Sequence, residues 1–186
     1  MTPDGDIRRS RPGSPRKVAE WLSVELLIDD DAWGEPGDLA PVVAGAARQL
    51  ARTLGPASRA EATLALADNA SVQALNREFR AKDQPTNVLS FPAPSTSTDG
   101  RRYLGDIILA RETVAAEACA AAIPVPDHVR HLVMHGLLHL LGYDHQTDAE
   151  AAVMERIETR ALAALGIADP HAEPAMAASN ARGRQP

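Results

Sequence analysis

The stretch from Asp127 to Gly142 constrains the fold most, because it is apolar on nearly every side of a helix. A stripe of histidines runs along it, at positions 131, 135 and 139. A helix that is apolar all round is typical of a buried helix, and a glycine such as Gly142 is suited to end it. Burying unpaired imidazoles is costly unless something satisfies them. The pattern therefore predicts a buried helix whose histidines hold a metal ion.

The spacing of the histidines indicates which of them bind. His135 and His139 lie four residues apart, which places their side-chain bases roughly 6 Å apart on one helix face. Both rings can then reach one ion at about 2.1 Å. After the turn at Gly142 the chain can bring His145 toward the same ion. We therefore predict His135, His139 and His145 as metal ligands, with a fourth position left open, as in catalytic sites.

The remaining histidines fit the same ion less well. His131 lies one turn before His135, but it is about 12 Å from His139 along the axis, so these two cannot share an ion. The helical pair is therefore either His131 with His135 or His135 with His139, and only the second is next to the turn that carries His145. We interpret His131 as a groove residue or a support for a ligand. His128 and His171 have no motif around them and are expected to face solvent.

The donor set favours some ions and some chemistries over others. Three neutral imidazoles suit zinc, our default, and also nickel, cobalt or copper. Metalloproteases with two helical histidines carry a glutamate directly after the first one as general base. That position is Gly136 here, which disfavours a protease. A structural zinc site usually has cysteine ligands, and Cys119 is the single cysteine of the chain.

The rest of the chain alternates between strand-like and helix-like patterns. Strands are predicted near residues 24–28, 62–66, 87–91 and 103–110, and a polar loop over residues 93–102. The fold class we predict is α+β, a small mixed sheet of about four strands packed with about five helices, with a metal cleft at the histidine-bearing helix. We expect one domain over residues 18–168. Residues 1–17, which are basic, and residues 169–186 are aperiodic and are predicted to be disordered tails.

Charge and hydropathy limit the classes of partner and the cellular location that fit this chain. The net charge is −6, and an acidic protein repels a phosphate backbone at long range. If the chain binds RNA, its basic residues must be concentrated locally or a partner must supply the charge. We find no apolar run long enough to span a bilayer and no apolar core of a signal peptide. A cytoplasmic protein is therefore expected.

Three segments of the chain are similar to one family. Residues 135–145 read HGLLHLLGYDH, residues 75–80 and 82–92 read LNREFR and KDQPTNVLSFP, and residues 104–107 read LGDI. These motifs, in this order and spacing, resemble the YbeY family of endoribonucleases, the bacterial rRNA maturation factors. The resemblance covers roughly residues 24–165, and both predicted tails lie outside it.

This resemblance implies a function and a set of partners. It implies metal-dependent, single-strand-specific cleavage of RNA in maturation of the 3′ end of 16S rRNA and in ribosome quality control. It implies the three histidines as ligands and Arg80 as a catalytic arginine beside the metal. The implied partners are single-stranded rRNA, the small ribosomal subunit and an Era-type GTPase.

The chemistry of phosphodiester cleavage agrees with that set in part. A metal ion polarises a phosphoryl oxygen and lowers the pKa of bound water, and a guanidinium holds two phosphate oxygens at once. Arg77 and Lys82 are equally compatible with RNA contact and with ordinary solvated charges. Asp106 and Asp144 are both candidates for the base, although Asp144 could instead orient a histidine and Asp106 could be structural.

Two other functions fit the same residues. The protein could be mainly a ribosome assembly factor with weak hydrolysis of its own, which the acidic charge favours. It could also be a zinc hydrolase of a non-RNA substrate such as a peptide, since the open metal position permits it. The absence of a glutamate after His135 argues against the peptide substrate.

Overall fold

A computed structural model describes residues 21–98 and 100–172 of the chain. The strands are β1 (Leu22–Ile28), β2 (Ala60–Ala67), β3 (Val88–Thr98) and β4 (Arg101–Ala110). The helices are α1 (Pro36–Leu54), α2 (Asn69–Arg80), α3 (Arg111–Ala120), α4 (Val125–Leu140) and α5 (Asp148–Ala163), and a short 3₁₀ turn lies at Asp31–Trp33. Within the described residues, the predicted α+β class with four strands and five helices is confirmed.

The four strands form one mixed sheet in the order β1-β2-β4-β3. Strands β1 and β2, and strands β2 and β4, are parallel, whereas β3 runs antiparallel to β4. Crossover helices connect the parallel strands, as parallel pairing requires. β3 is therefore an edge strand, and the cleft described below lies beside it.

Helices cover the two faces of the sheet unequally. α1, α4 and α5 pack over one face and enclose the larger core. That core is aliphatic at its centre, with Leu50, Leu64, Ile107, Leu137 and Leu162 almost completely buried. α2 covers part of the other face through a smaller cluster around Val72 and Leu89, whereas α3 packs mainly against α4 and contributes Val114 to the larger core. The larger core holds α4 in place, and α4 carries the histidines.

β3 is longer than the sequence predicted. We expected a strand ending at Phe91 and a polar loop over residues 93–102, but β3 continues through Pro92 to Thr98 and β4 starts at Arg101. Proline is tolerated on an edge strand because its missing N–H can face away from the sheet. The pairing of β3 with β4 shifts between Pro92 and Thr96, where the regular ladder is interrupted.

The tail predictions fall almost entirely outside the described residues. Residues 1–20 and 173–186 are not described. Residues 169–172 are described, and they fold back on α5: Asp169 Oδ1 accepts a hydrogen bond from Thr159 Oγ1 at 2.9 Å. None of the helices that the structure describes is both long and apolar enough to cross a membrane.

Candidate metal centre and RNA cleft

The cleft lies where α4 ends beside the edge strand β3. It has a volume of about 660 Å³ and is lined by residues from three parts of the chain. These are the end of α2 and its following loop, the start of β3, and α4 with the turn after it. Its polar lining residues include Arg80, Asn87, Ser90, His135, His139 and His145. The candidate ligands and the candidate catalytic arginine therefore share one cavity.

The three predicted histidines converge at the floor of this cleft. One ring nitrogen from each of His135, His139 and His145 lies within 4.8 Å of the other two. Nε2 of His135 and Nε2 of His139 are 3.0 Å apart. Their ring centroids lie 4.6 Å apart, and that of His145 lies 5.5 Å from His135 and 4.9 Å from His139. The donors are thus close enough to share one ion.

Local structure explains how His145 returns to the helix. α4 ends at Leu140, and Gly142 takes a φ of 94°, a left-handed conformation that glycine adopts without a steric penalty. The backbone N–H of His145 then donates to Asp144 Oδ1 at 2.8 Å, and Gln146 Nε2 donates to Asp144 Oδ2 at 2.7 Å. Asp144 therefore holds the turn that presents His145.

The outer nitrogens of the two helical histidines already have acceptors. His135 Nδ1 donates to Glu158 Oε1 at 2.8 Å, and His139 Nδ1 donates to the backbone oxygen of Tyr143 at 3.1 Å. A neutral imidazole that donates from Nδ1 presents a lone pair at Nε2, so this donation turns the Nε2 lone pair of each ring toward the other. Two lone pairs 3.0 Å apart repel each other, and a cation between them removes that repulsion. The donor set therefore fits a metal ion.

The protonation states of His139 and Glu158 favour a bound cation. Burial, followed by the neighbouring His135 and His145, lowers the pKa of His139, so its imidazole is neutral at neutral pH. Burial raises the pKa of Glu158, but hydrogen bonds from His135 and His171 outweigh it and hold that pKa below its usual value. Glu158 is therefore ionised at neutral pH, although only 1% of it is exposed. A buried carboxylate behind a ligand histidine raises the basicity of that ligand.

Glu158 is not part of any motif singled out in the sequence. It lies on the buried face of α5, four residues after Met154 and four before Leu162. A charged residue in an apolar stripe is costly to bury without partners, and this was the available signal. Its partners are the histidines of another helix, which local sequence does not specify.

Arg80 reaches the cleft from the other side of the edge strand. It is the last residue of α2, and its Nη2 donates to the backbone oxygen of Ser90 on β3 at 3.3 Å. The loop after it is anchored by the buried Asn76, whose Nδ2 donates to Gln84 O at 2.8 Å. Because that bond uses only part of the guanidinium, the remaining N–H groups are available to an anion in the cleft.

The other basic and acidic candidates are placed differently. Arg77 pairs with Asp83 at 3.5 Å, with both side chains exposed. Asp106 accepts a hydrogen bond from the Tyr103 hydroxyl at 2.6 Å, and it is not among the described residues that line the cleft. Of the two candidate bases, only Asp144 lines it.

Two further histidines were expected to face solvent. That expectation was wrong for His128, which is 8% exposed and whose Nε2 lies 2.8 Å from Glu117 Oε2. Glu117 also accepts from Asn87 Nδ2 at 2.9 Å, so His128 supports the wall of the cleft. His171 is partly exposed, but its Nε2 lies 2.7 Å from Glu158 Oε2.

Comparison with known proteins agrees with the geometry. The family model described as Endoribonuclease YbeY matches residues 35–166, which include the whole cleft. The chain belongs to the endoribonuclease YbeY family. An endoribonuclease YbeY of Azorhizobium caulinodans is 46% identical over 157 residues, covering 83% of this chain and 99% of that protein. Another, from Paramagnetospirillum magneticum, is 49% identical over 167 residues, covering 82% of this chain and 98% of that protein.

A solved structure is also similar. The solution structure of a Thermotoga maritima protein aligns with 81% of this chain and 99% of its own, at 19% identity and a TM-score of 0.47. The family resemblance predicted over roughly residues 24–165 is confirmed by the YbeY family match over residues 35–166.

Proposed function

We propose that this chain is a metal-dependent endoribonuclease that cleaves single-stranded rRNA during maturation of the 3′ end of 16S rRNA and during ribosome quality control. Relatives named endoribonuclease YbeY that align with nearly their whole length support the reaction class. The observation that carries the proposal is that three convergent imidazoles and Arg80 line the same cleft. Cytoplasmic location, the small ribosomal subunit and an Era-type GTPase as partners follow from the family resemblance.

In this proposal His135, His139 and His145 hold one zinc ion or a similar divalent transition metal. When bound, such an ion polarises a phosphoryl oxygen and lowers the pKa of water at its open position. Glu158 fixes the ring of His135 and Tyr143 O fixes that of His139. These contacts keep both Nε2 lone pairs turned toward the ion and set the tautomer of each ring.

Arg80 binds the scissile phosphate. Its guanidinium, tethered to Ser90 O, offers further N–H donors to the non-bridging oxygens of a phosphodiester. Negative charge builds up on those oxygens as the bond breaks, so a fixed cation stabilises the transition state more than the ground state. Asp144 lines the cleft beside His145. Since both its oxygens accept hydrogen bonds that hold the turn, we assign it to positioning His145.

Positive charge in the cleft also offsets, at the site of cleavage, the repulsion between the acidic chain and RNA. A net charge of −6 repels RNA at long range. The bound cation and Arg80 concentrate positive charge at one place, where the phosphate must lie for cleavage. Affinity for naked RNA is therefore expected to be modest, with the ribosomal partner supplying the remaining affinity.

The test compares cleavage of a labelled single-stranded rRNA fragment by metal-replete wild type, chelated wild type, His139→Ala and Arg80→Ala, with metal content measured for each. We expect chelation to remove both metal and activity, and His139→Ala to lose activity together with the metal held in the cleft. Arg80→Ala should keep the metal and lose activity by about 10²-fold or more, the scale of losing one preorganised charge contact. Arg52→Ala, an exposed arginine in the last turn of α1, is the matched control and should cleave normally.

Equal cleavage by all preparations would show that the activity belongs to a contaminant. Normal cleavage by Arg80→Ala with loss in His139→Ala would leave a metal hydrolase and remove the phosphate-binding role of Arg80. A duplex of the same sequence should be cleaved much more slowly than the single strand. Equal rates on both would refute the single-strand preference.

A further inference from the structure

A second cluster of metal-ligating atoms lies on the far side of Glu158. It consists of ring nitrogens of His131 and His171 and one carboxylate oxygen of Glu158, all within 4.8 Å of one another. Oε2 of Glu158 is 2.7 Å from His171 Nε2 and 3.9 Å from His131 Nε2. The other oxygen, Oε1, is occupied by His135. The two clusters therefore use opposite oxygens of one buried carboxylate.

Three separate parts of the chain build this cluster. His131 is on α4, one turn before His135, and Glu158 is on α5. His171 comes from the segment that reverses after Gly166, whose φ is 74°. In that segment Asp169 Oδ1 accepts both from Thr159 Oγ1 and from the backbone N–H of His171, each at 2.9 Å. Asp169 thus locks the turn that lays His171 over Glu158.

The atoms are spaced and exposed as a cation site requires. Ligands about 2.1 Å from a tetrahedral ion lie about 3.4 Å from one another, and the separations of 2.7 Å and 3.9 Å lie on either side of that value. Among the described residues the His131 ring makes no hydrogen bond, and its Nε2 lies 3.9 Å from Glu158 Oε2. His131 and His171 side chains are 19% and 31% exposed, which leaves a path for entry from solvent.

We propose that His131, Glu158 and His171 form a second site for a divalent transition-metal ion, distinct from the one in the cleft. Two imidazoles and one carboxylate are ligands that zinc, cobalt or iron(II) accept, with positions left for water. Glu158 joins the two sites, since one oxygen bonds His135 and the other binds the second ion. The second ion then competes with His135 for the charge of that carboxylate.

The test is metal stoichiometry, and its outcome does not depend on nuclease activity. Tag-free full-length chain is titrated with Zn²⁺ and with Co²⁺, and bound metal is counted by elemental analysis after removal of free ion. We expect two equivalents in wild type and one in His171→Ala and in His171→Gln. Glutamine can still hydrogen-bond to Glu158, so that variant separates loss of the ligand from loss of the contact. His139→Ala should also bind one equivalent, because it disables the cleft only.

A control variant and a spectrum complete the experiment. Glu155→Ala removes an exposed carboxylate of α5 close to His171 and should still bind two equivalents. With Co²⁺, the second equivalent should add its own visible absorption band, absent from His171→Ala. One equivalent in wild type, removed by His139→Ala and unaffected by His171→Ala, would overturn the second site and leave the proposed function intact. Two equivalents in both His171 variants would overturn it as well.

Discussion

Nδ1 of His135 lies 2.8 Å from Oε1 of Glu158, although the two residues are 23 positions apart and on different helices. The carboxylate is 1% exposed, and the imidazole is 24% exposed toward the cleft. This hydrogen bond therefore connects a carboxylate in the protein interior with a histidine on the floor of the cleft. It fixes the orientation of one proposed ligand through a residue that touches neither the cleft nor the substrate.

Replacing Glu158 by glutamine should weaken metal binding in the cleft, although all three histidines stay in place. Loss of the carboxylate charge behind His135 lowers the basicity of that ligand, and such changes typically cost about 10–100-fold in metal affinity. Competition with a chromophoric chelator, run in the His171→Ala background so that only the cleft site binds, measures the zinc affinity directly. Glu155→Gln, an exposed neighbour on the same helix, is the matched control. An unchanged affinity in Glu158→Gln would show that His135 does not depend on the carboxylate.

Phe79 should act as a stacking platform for a base of the substrate. It is 60% exposed, its ring packs edge-on against Phe91 with centroids 5.2 Å apart, and it directly precedes Arg80. Stacking of a base on an aromatic side chain contributes about 1–3 kcal/mol. Phe79→Leu keeps an apolar side chain but loses the flat ring, so single-stranded RNA should bind roughly 5- to 150-fold more weakly.

Fluorescence anisotropy with metal-chelated protein measures this affinity without cleavage. Ile123→Ala, which truncates another exposed apolar residue after α3, should bind RNA like wild type. If Phe79→Leu and Ile123→Ala both bind like wild type, RNA does not pass over the end of α2.

Gly136 allows α4 to lie close against the sheet. A Cβ at this position would come within 2.9 Å of Cδ1 and Cγ2 of Ile107, a fully buried residue of β4. Gly136→Ala therefore overpacks the core, which costs about 1–3 kcal/mol, and the gain in helix propensity of about 1 kcal/mol offsets only part of it. We expect a net loss on the order of 1 kcal/mol in the free energy of unfolding.

Gly45→Ala is the control for Gly136→Ala, and urea denaturation measures the free energy of unfolding of both variants. Gly45 is inside α1, and a Cβ there meets no atom within 4 Å. Because the helix-propensity gain is then unopposed, this variant should be more stable by about 0.5–1 kcal/mol. The test is that the two substitutions change the free energy of unfolding in opposite directions. Equal stabilisation of both variants would contradict the close packing of α4 on Ile107.

The ion pair between Asp30 and Arg111 should make stability depend on acid pH. Arg111 Nε donates to Asp30 Oδ2 at 2.6 Å, and this bond, together with the N–H of Ala32, holds the pKa of Asp30 below its usual 3.8. A carboxyl whose pKa is lower in the folded state stabilises the fold above its unfolded pKa, and loses that contribution as pH falls through the folded pKa.

Asp30→Asn, which keeps an acceptor for Ala32 but loses the charge, should therefore lower the melting temperature at pH 7. The difference from wild type should stay constant down to about pH 5 and narrow below about 3.8. Melting curves across that range measure it. A difference that persists unchanged at the lowest pH would mean that Asp30 contributes through shape and not through its charge.

The local sequence determined the proposed ligand set. The four-residue spacing of His135 and His139 places both on one face of any helix, and Gly142 allows the turn that returns His145. Most strands and helices of the described region also followed from apolar periodicity and glycine or proline boundaries, but the second half of β3 did not, since it was expected to be a polar loop. These features depend on neighbours within one turn or one hairpin, so they can be predicted without knowing the fold.

Only the tertiary structure determined which residues support the proposed ligands and which lie beside them in the cleft. Glu158 reaches His135 because α5 packs next to α4, and Arg80 reaches the cleft because α2 ends at the edge strand β3. His128 is buried and His171 covers Glu158 for the same reason: helix packing and a chain reversal bring them to partners distant in sequence. The free energy of such contacts depends on burial and on partners from other elements. The sequence alone therefore specified the proposed metal ligands, and the packing of the elements specified the residues that surround them.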